Sequence, residues 1–386
     1  MLRRPGACAL LALVSFGLLL FGAACAPAAP AVPSGAAGAA APPRAAARGA
    51  ATSAPGSAAP ARAEGGGAQA SAPAATVKVG VVRTLTEAGI YVGLERGYFA
   101  EQGITLDLEN FDTAAKAVPA VSTDQVDISS GVLSAGLFNA IDRGVDIKIT
   151  GPVSRQEADL SSNVILVRKD LVDSGAVRTY ADLKGRPFAA PTRGSTIEYA
   201  LDLAMKRDGL TADDLDWVDL GFPDQLPAFA NHAIDAGYNT EPTPTIAANQ
   251  GLAVKWRRVG DWAPGLQFTV LMYAPQFAQE RNAVARCWMV AYLKGLRDYM
   301  DAVKKGIDKP ALFEILARNT TLKDMSLYDQ VGWANLDPNG RMNLESLDDQ
   351  ARWYFDKGLI RTLPDLKRIV DLQYVDYARG VLGEYQ

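Results

Sequence analysis

The stretch PTRGSTIEYALDL, Pro191 to Leu203, gathers residues suited to holding an anion. A short apolar run ends in Pro191. Thr192, Arg193, Gly194, Ser195 and Thr196 follow, and then an apolar pattern with helical spacing. That order reads as strand, tight turn and helix start. Hydroxyls and free backbone N–H groups would collect where a helix dipole is positive. No lysine follows Gly194, and the glycine spacing of a dinucleotide fingerprint is absent, so this is not a nucleotide-phosphate loop. Ser195 or Thr196 can simply cap the helix. Arg193 can fork onto a carboxylate or sulfonate, or point to water.

Nothing else in the chain assembles into catalysis. His232 is the single histidine, in the turn FANHAIDAG, where it reads as exposed filler. The three cysteines are Cys8, Cys25 and Cys287. Cys287 lies in VARCWMVAYL, an apolar helical face, and reads as a buried packing thiol. With one histidine and one core cysteine, no clear Ser/His/Asp triad, thiolate–imidazole pair or His/Cys metal site can be built, and no cofactor is expected. Glu241 precedes Pro242 in IDAGYNTEP, either as a helix-start carboxylate or as an acceptor for a ligand amine or ring N–H. Tyr91, Phe111, Tyr238 and Trp333 stand near predicted strand ends or cleft-facing loops, where they pack a core or line a planar ligand.

The elements that must position these residues alternate. VKVGVV, ITLDLENF, VDISSG and DIKITGPV read as strands, with helices between them. The rhythm restarts after residue 160 with NVILVRK, RPFAAP, LDWVDLGF, AIDAGYN and AVKWRRV. LQFTVLMYA is a tenth strand. Helices follow at 275–305, 309–319, 345–358 and 373–383. Strand–helix–strand units of this length predict an α/β fold of two doubly wound, mostly parallel lobes. Lobe 1 spans 77–153 and is completed by 265–386, which also supplies C-terminal helices. Lobe 2 spans 154–264, and two crossings form the hinge.

Such sheets bind ligands beyond the carboxyl ends of their strands. The residues there are Thr84, Thr86 and Glu87; Phe111, Asp112 and Thr113; Ser129, Ser130 and Gly131; Thr192 to Thr196; and Tyr238, Asn239, Thr240 and Glu241.

Residues 1–25 carry Arg3 and Arg4, an apolar run and small residues before Cys25, the pattern of an export signal. Residues 26–76 are nearly all Ala, Pro, Gly and Ser and predict a tether without a core. Of 39 Lys+Arg and 43 Asp+Glu, five arginines and Glu64 precede residue 77. The remainder, 34 basic and 42 acidic, gives a net of −8. An acidic exported domain does not fit a nucleic-acid binder.

Several segments together resemble a known family. GLERGYFAEQGITLDL, DLKGRPFAAPTRGSTIEYALDLAMKRDGL, IDAGYNTEP and DPNGRMNLESLDDQARWYFDKGLI, in that order, resemble solute-binding proteins of the nitrate/sulfonate/taurine class, the SsuA/THI5-like (NMT1-like) family. The resemblance covers about 77–360. It implies a periplasmic-binding-protein fold with a two-crossing hinge. It also implies a monomer that closes on a small solute (sulfonate, carboxylate or pyrimidine-like) and delivers it to an ABC permease and its ATPase. FGAAC resembles a lipoprotein signal, with Gly22 where the family usually has leucine, and implies lipidation of Cys25 and anchoring to the membrane. His232 stands where the family usually has glycine. A sensor module serving a membrane kinase is the alternative binder. The superfamily's pyrimidine-synthesis enzymes use a cysteine-rich motif that this sequence lacks.

Overall fold

The computed structural model describes residues 74–386. The expected export signal, the lipidated Cys25 and nearly all of the tether lie outside the described residues.

Ten strands appear in chain order: β1 (Ala75–Val81), β2 (Ile104–Asn110), β3 (Ile128–Val132), β4 (Lys148–Arg155), β5 (Asn163–Arg168), β6 (Pro187–Ala190), β7 (Asp216–Asp219), β8 (Ala236–Thr240), β9 (Ala253–Arg258) and β10 (Gln267–Tyr273). They form two five-stranded sheets, β2-β1-β3-β10-β4 and β7-β6-β8-β5-β9. Numbered from β6, the second sheet repeats the first: second strand, first, third, returning strand, fourth. The returning strand comes from across the hinge in each case, β10 in lobe 1 and β5 in lobe 2.

The sheets are less parallel than the sequence suggests. β1 runs parallel to β2 and β3, and β6 to β7 and β8. β10 and β5 are antiparallel to both their neighbours. The reason is geometric. β4 leaves its sheet at the hinge edge, which is also the edge where the parallel strands end. A chain re-entering from that edge must run the opposite way.

The two crossings are fastened to each other. Gln156 N–H donates to the Leu266 carbonyl at 2.9 Å, and Gly265 N–H donates to the Gln156 carbonyl at 2.7 Å. Gly260 N–H donates to Ser161 Oγ at 3.0 Å. A Cβ on Gly260 would lie 2.0 Å from the Glu157 carbonyl oxygen, so only glycine permits this approach.

Lobe 1 is built around the helix Asn282–Lys305. Its apolar face buries Trp288, which stacks on Tyr292 at 5.2 Å and packs against Phe99 and Tyr273. Cys287 is buried in the same face. The sequence predicts one helix over 275–305, but Arg281 interrupts it between Pro275–Glu280 and Asn282–Lys305. In lobe 2, separate apolar clusters cover the two faces of the sheet. His232 adopts φ 57°, the left-handed turn conformation that glycine takes most easily.

The helix Leu344–Asp356 lies against both lobes. Gln350 Nε2 donates to the Gln267 carbonyl at 3.0 Å, and Tyr354 donates its hydroxyl hydrogen to the Leu133 carbonyl at 3.0 Å, both in lobe 1. On the lobe 2 side, Thr196 Oγ1 donates to Gln350 Oε1 at 2.6 Å, and Trp353 Nε1 donates to Asp202 at 2.9 Å.

Candidate functional site

The loop after the third strand of each lobe meets the loop after the first strand of the other. The β3 loop of lobe 1 touches the β6 loop of lobe 2. Ala135 N–H donates to the Gly194 carbonyl at 2.8 Å, and Thr196 N–H donates to the Leu133 carbonyl at 3.0 Å. This makes a short antiparallel bridge between Ser134 and Ser195. Exchanging the lobes gives the second contact. Leu85 N–H, after β1, donates to the Glu241 carbonyl, after β8, at 3.0 Å. The two lobes are thus pinned at two places related by their shared topology.

Between the pins lies a small cavity of about 30 Å³. Its polar wall comprises Thr84, Thr86, Thr113, Asn163, Thr192, Thr240 and Thr269. Its apolar wall comprises Val82, Val132, Pro191, Ile197, Phe222 and Phe268. No charged side chain lines it. One water needs roughly 10–15 Å³ on this measure, so a larger solute requires the lobes to part.

Two wall atoms stand out. Asn163 Nδ2 and Thr240 Oγ1 are buried and have no hydrogen-bond partner among the described residues. Asn163 is fully buried and Thr240 is 4 % exposed. The Asn163 Oδ1 accepts from Gln156 Nε2 at 2.8 Å, which fixes the amide and turns its NH₂ the other way. The neighbouring Tyr238 hydroxyl is unpartnered too; burial pushes that phenol well up, and the Asn163 side chain beside it pulls the other way. A buried unsatisfied donor costs on the order of 1–3 kcal/mol, which a solute acceptor would recover.

Two buried carboxylates stand behind the wall. Glu87 accepts from Val82 N–H at 2.9 Å, Thr84 N–H at 3.3 Å, Tyr91 at 2.8 Å and Ser130 at 2.6 Å. Burial raises its pKa, and those donors pull the other way. It forms no ion pair among the described residues. Glu241 instead pairs with Lys255 at 2.6 Å and accepts from the Thr245 and Gly332 N–H groups, each at 3.1 Å.

Comparison with known proteins follows the same lines. The model of the family described as NMT1/THI5 like matches residues 85–303, more than half of the chain. The chain belongs to the NMT1/THI5-like family. A curated relative, the taurine-binding periplasmic protein of Escherichia coli K12, is 25 % identical over 248 residues, 64 % of this chain and 73 % of that protein. The fold matches the alkanesulfonate-binding protein SsuA of Xanthomonas axonopodis pv. citri bound to MOPS. The TM-score is 0.62 at 16 % identity, over 78 % of this chain and 99 % of that one. The nitrate-binding protein NrtA of Synechocystis PCC 6803 aligns with a TM-score of 0.61 at 12 % identity, over 80 % of this chain and 89 % of that one.

Within this NMT1/THI5-like chain, the structure distributes the residues named from sequence. Thr84, Thr86 and Thr192 line the cavity. Asp112 and Arg193 line an adjoining groove that shares Thr113, Pro191 and Thr192 with the cavity, Asp112 bound to Lys116 at 2.6 Å. Arg193 pairs with Asp213 at 3.1 Å and stacks over Trp217 at 4.8 Å. Three N–H donors of the opening stretch are occupied within the protein. Gly194 N–H donates to Glu198 at 2.7 Å, Ile197 N–H to Ser195 Oγ at 3.2 Å, and Thr196 N–H reaches Leu133. Glu198 also meets Lys357 at 3.2 Å, and Lys357 meets Asp213 at 2.9 Å.

Tyr91 and Ser130 hold Glu87. Gly131 lies within β3, paired with Val270. Phe111 packs over Gly80 on β1. Tyr238 stacks on Phe268 at 5.8 Å, and Asn239 Nδ2 donates to the Phe222 carbonyl at 3.1 Å, so both set the aromatic wall from behind. Trp333 joins Phe313, Tyr328 and Tyr299, a cluster separate from the cavity lining. Asn163, Phe268, Thr269 and Phe222 were not expected. The first three begin returning strands, whose N-terminal ends face the cleft because those strands are antiparallel. Asn163 carries a readable signal, the last polar residue of SSN before the apolar run VILV.

Proposed function

We propose that this chain is the exported solute-capturing component of an ABC importer. It would hold a small organic solute (sulfonate, carboxylate or pyrimidine-like) between its lobes and present the closed form to a permease and its ATPase. The observation that carries this reading is the cavity between the pinned lobes, with Asn163 Nδ2 and Thr240 Oγ1 unpartnered in its wall. A solute that touches both lobes favours closure, because only the closed form offers both sets of contacts. The two crossings at 156–162 and 259–266 supply the hinge.

Binding without catalysis fits the side chains present. Cys287 is a core thiol, and His232 is exposed on the turn that leads into β8, at the end of that strand opposite Thr240. Among the described residues no group of three His, Cys, Asp or Glu is placed to hold a metal. We further propose that the protein works as a monomer tethered through a lipid on Cys25. Among the described residues no helix is long and apolar enough to cross a membrane.

A thermal-shift screen of the full-length chain against sulfonates, carboxylates, nitrate and pyrimidines tests the reading. The expected result is a concentration-dependent rise in melting temperature with recovery of unaltered solute. Turnover of the solute, or no stabilisation by any class, would contradict it.

A further inference from the structure

We infer that the cavity selects an uncharged solute that offers a hydrogen-bond acceptor to Asn163, and that it discriminates against the anionic form of the same molecule. This rests on the solute-binding reading above and narrows it. Three observations point the same way.

The first is that three of the N–H donors an anion would need are spent. In the stretch Thr192–Thr196, the N–H groups of Gly194 and Thr196 donate to protein acceptors, as does that of Ile197. They serve the lobe contact and the helix cap. A helix start can bind an anion only through N–H groups that still point at it.

The second is the disposition of charge. Arg193, Lys116, Lys255 and Lys357 are each within 3.2 Å of a carboxylate and none lines the cavity. Arg83 shares the turn between Val82 and Thr84 and forms no ion pair among the described residues. It is exposed, however, and lies outside the lining. Behind the same turn, Glu87 is fully buried and receives only neutral donors, two of them the backbone N–H groups of Val82 and Thr84. With donors on both oxygens, its carboxylate acts as an acceptor. When ionised, Glu87 therefore places a negative charge behind a wall that has no cation in it. In a low-dielectric site that charge disfavours a second negative charge.

The third is the pair of unpartnered atoms. The buried Asn163 amide N–H lacks an acceptor and asks for one, and the Thr240 hydroxyl can donate or accept. Neutral carbonyls, amides, sulfonamides and ring nitrogens meet both demands. Phe222 and Phe268 offer apolar surface to the rest of such a molecule.

The test titrates the full-length wild-type chain with each hit of the solute screen and with its charge-changed partner of similar shape. Benzenesulfonamide is set against benzenesulfonate, and nicotinamide against nicotinate. The uncharged member is expected to bind at least tenfold more tightly at neutral pH. An anionic member that binds as tightly or better would overturn the inference while leaving solute capture intact. Loss of that anion's binding in Arg83→Ala would identify the cation responsible. Absence of any hit would overturn solute capture itself, and this inference with it. Glu87→Gln is expected to shrink the ratio between paired ligands, and an unchanged ratio in a folded variant would remove Glu87 from the account. The wild-type comparison stands whether or not that variant folds.

Discussion

Glu87 and Glu241 are both buried carboxylates on loops that close the same cleft, one from each lobe. Their loops touch through the Leu85–Glu241 hydrogen bond. Yet they are satisfied in different ways. Glu241 has a cation, Lys255, and spends its remaining capacity on the Thr245 and Gly332 N–H groups. Glu87 has only neutral donors. Glu241 therefore joins lobe 2 to the segment around Gly332 and leaves no charge over. Glu87 shapes the turn that walls the cavity and leaves its charge there. The same side chain serves as a structural tie in one lobe and as an electrostatic setting in the other.

Removing the cation should have the largest effect. Lys255→Met leaves Glu241 buried and unpaired, and a loss of roughly 3–5 kcal/mol in unfolding free energy is expected. Urea denaturation measures it. Adding Glu241→Gln to that variant should restore part of the loss. If Lys255→Met were neutral, the two carboxylates would not differ as described.

The returning strands sharpen the comparison one step further from the charges. Gln267 opens β10 as Asn163 opens β5, but its amide is fully used, by the Ser154 and Thr269 carbonyls and by Asn343 N–H. Gln267→Ala should cost about 2 kcal/mol, from lost bonds and stranded partners. Asn163→Leu should cost less, about 1 kcal/mol, since loss of the bonds from Gln156 and Ser162 is partly offset by removal of an unsatisfied donor.

Acid should separate the buried carboxyls by sign. Burial raises Glu87 above its ordinary 4.5. Between 4.5 and its folded value the native chain holds a proton that the unfolded chain has released, so acidification through that window adds stability. Burial also pushes Asp202 up, but Lys206, Trp353 and the Ala212 N–H outweigh it and hold the carboxyl below 3.8. That contribution is complete above 3.8 and is lost as pH falls through the lower folded value. Denaturation midpoints between pH 3 and 7 should fall less steeply at the acid end in Asp202→Asn. A profile identical to wild type would contradict this.

Arg193→Ala should have the smallest effect, within about 0.5 kcal/mol, because its ion pairing is largely exposed. A large loss of solute affinity in this variant would return the arginine to the binding site.

Much of the frame was legible in the sequence. The ten strands follow from β-rich runs punctuated by turn residues, and the Ser195 cap follows from the residue types of PTRGST. What local pattern could not show is which groups are already spent. Thr196 looks like a free anion donor until Leu133, 63 residues earlier, takes its N–H. Glu241 looks like a ligand acceptor until Lys255, 14 residues later, reaches it. Asn163 was missed because the rule that ligands sit beyond strand ends holds for parallel strands, and β5 runs the other way. The residues that fill the site best are those left unsatisfied by the fold, and satisfaction is a property of three dimensions.

The central claim is that solute is held by the atoms the fold leaves unpartnered. Isothermal titration of wild type and of the Asn163→Leu, Thr240→Val double variant, with the tightest-binding solute of the screen, tests it most directly. The account predicts an affinity loss of at least about a hundredfold, two hydrogen bonds at roughly 1.5 kcal/mol each, with the melting temperature of the free protein nearly unchanged. An unchanged dissociation constant would place the solute elsewhere and contradict the account.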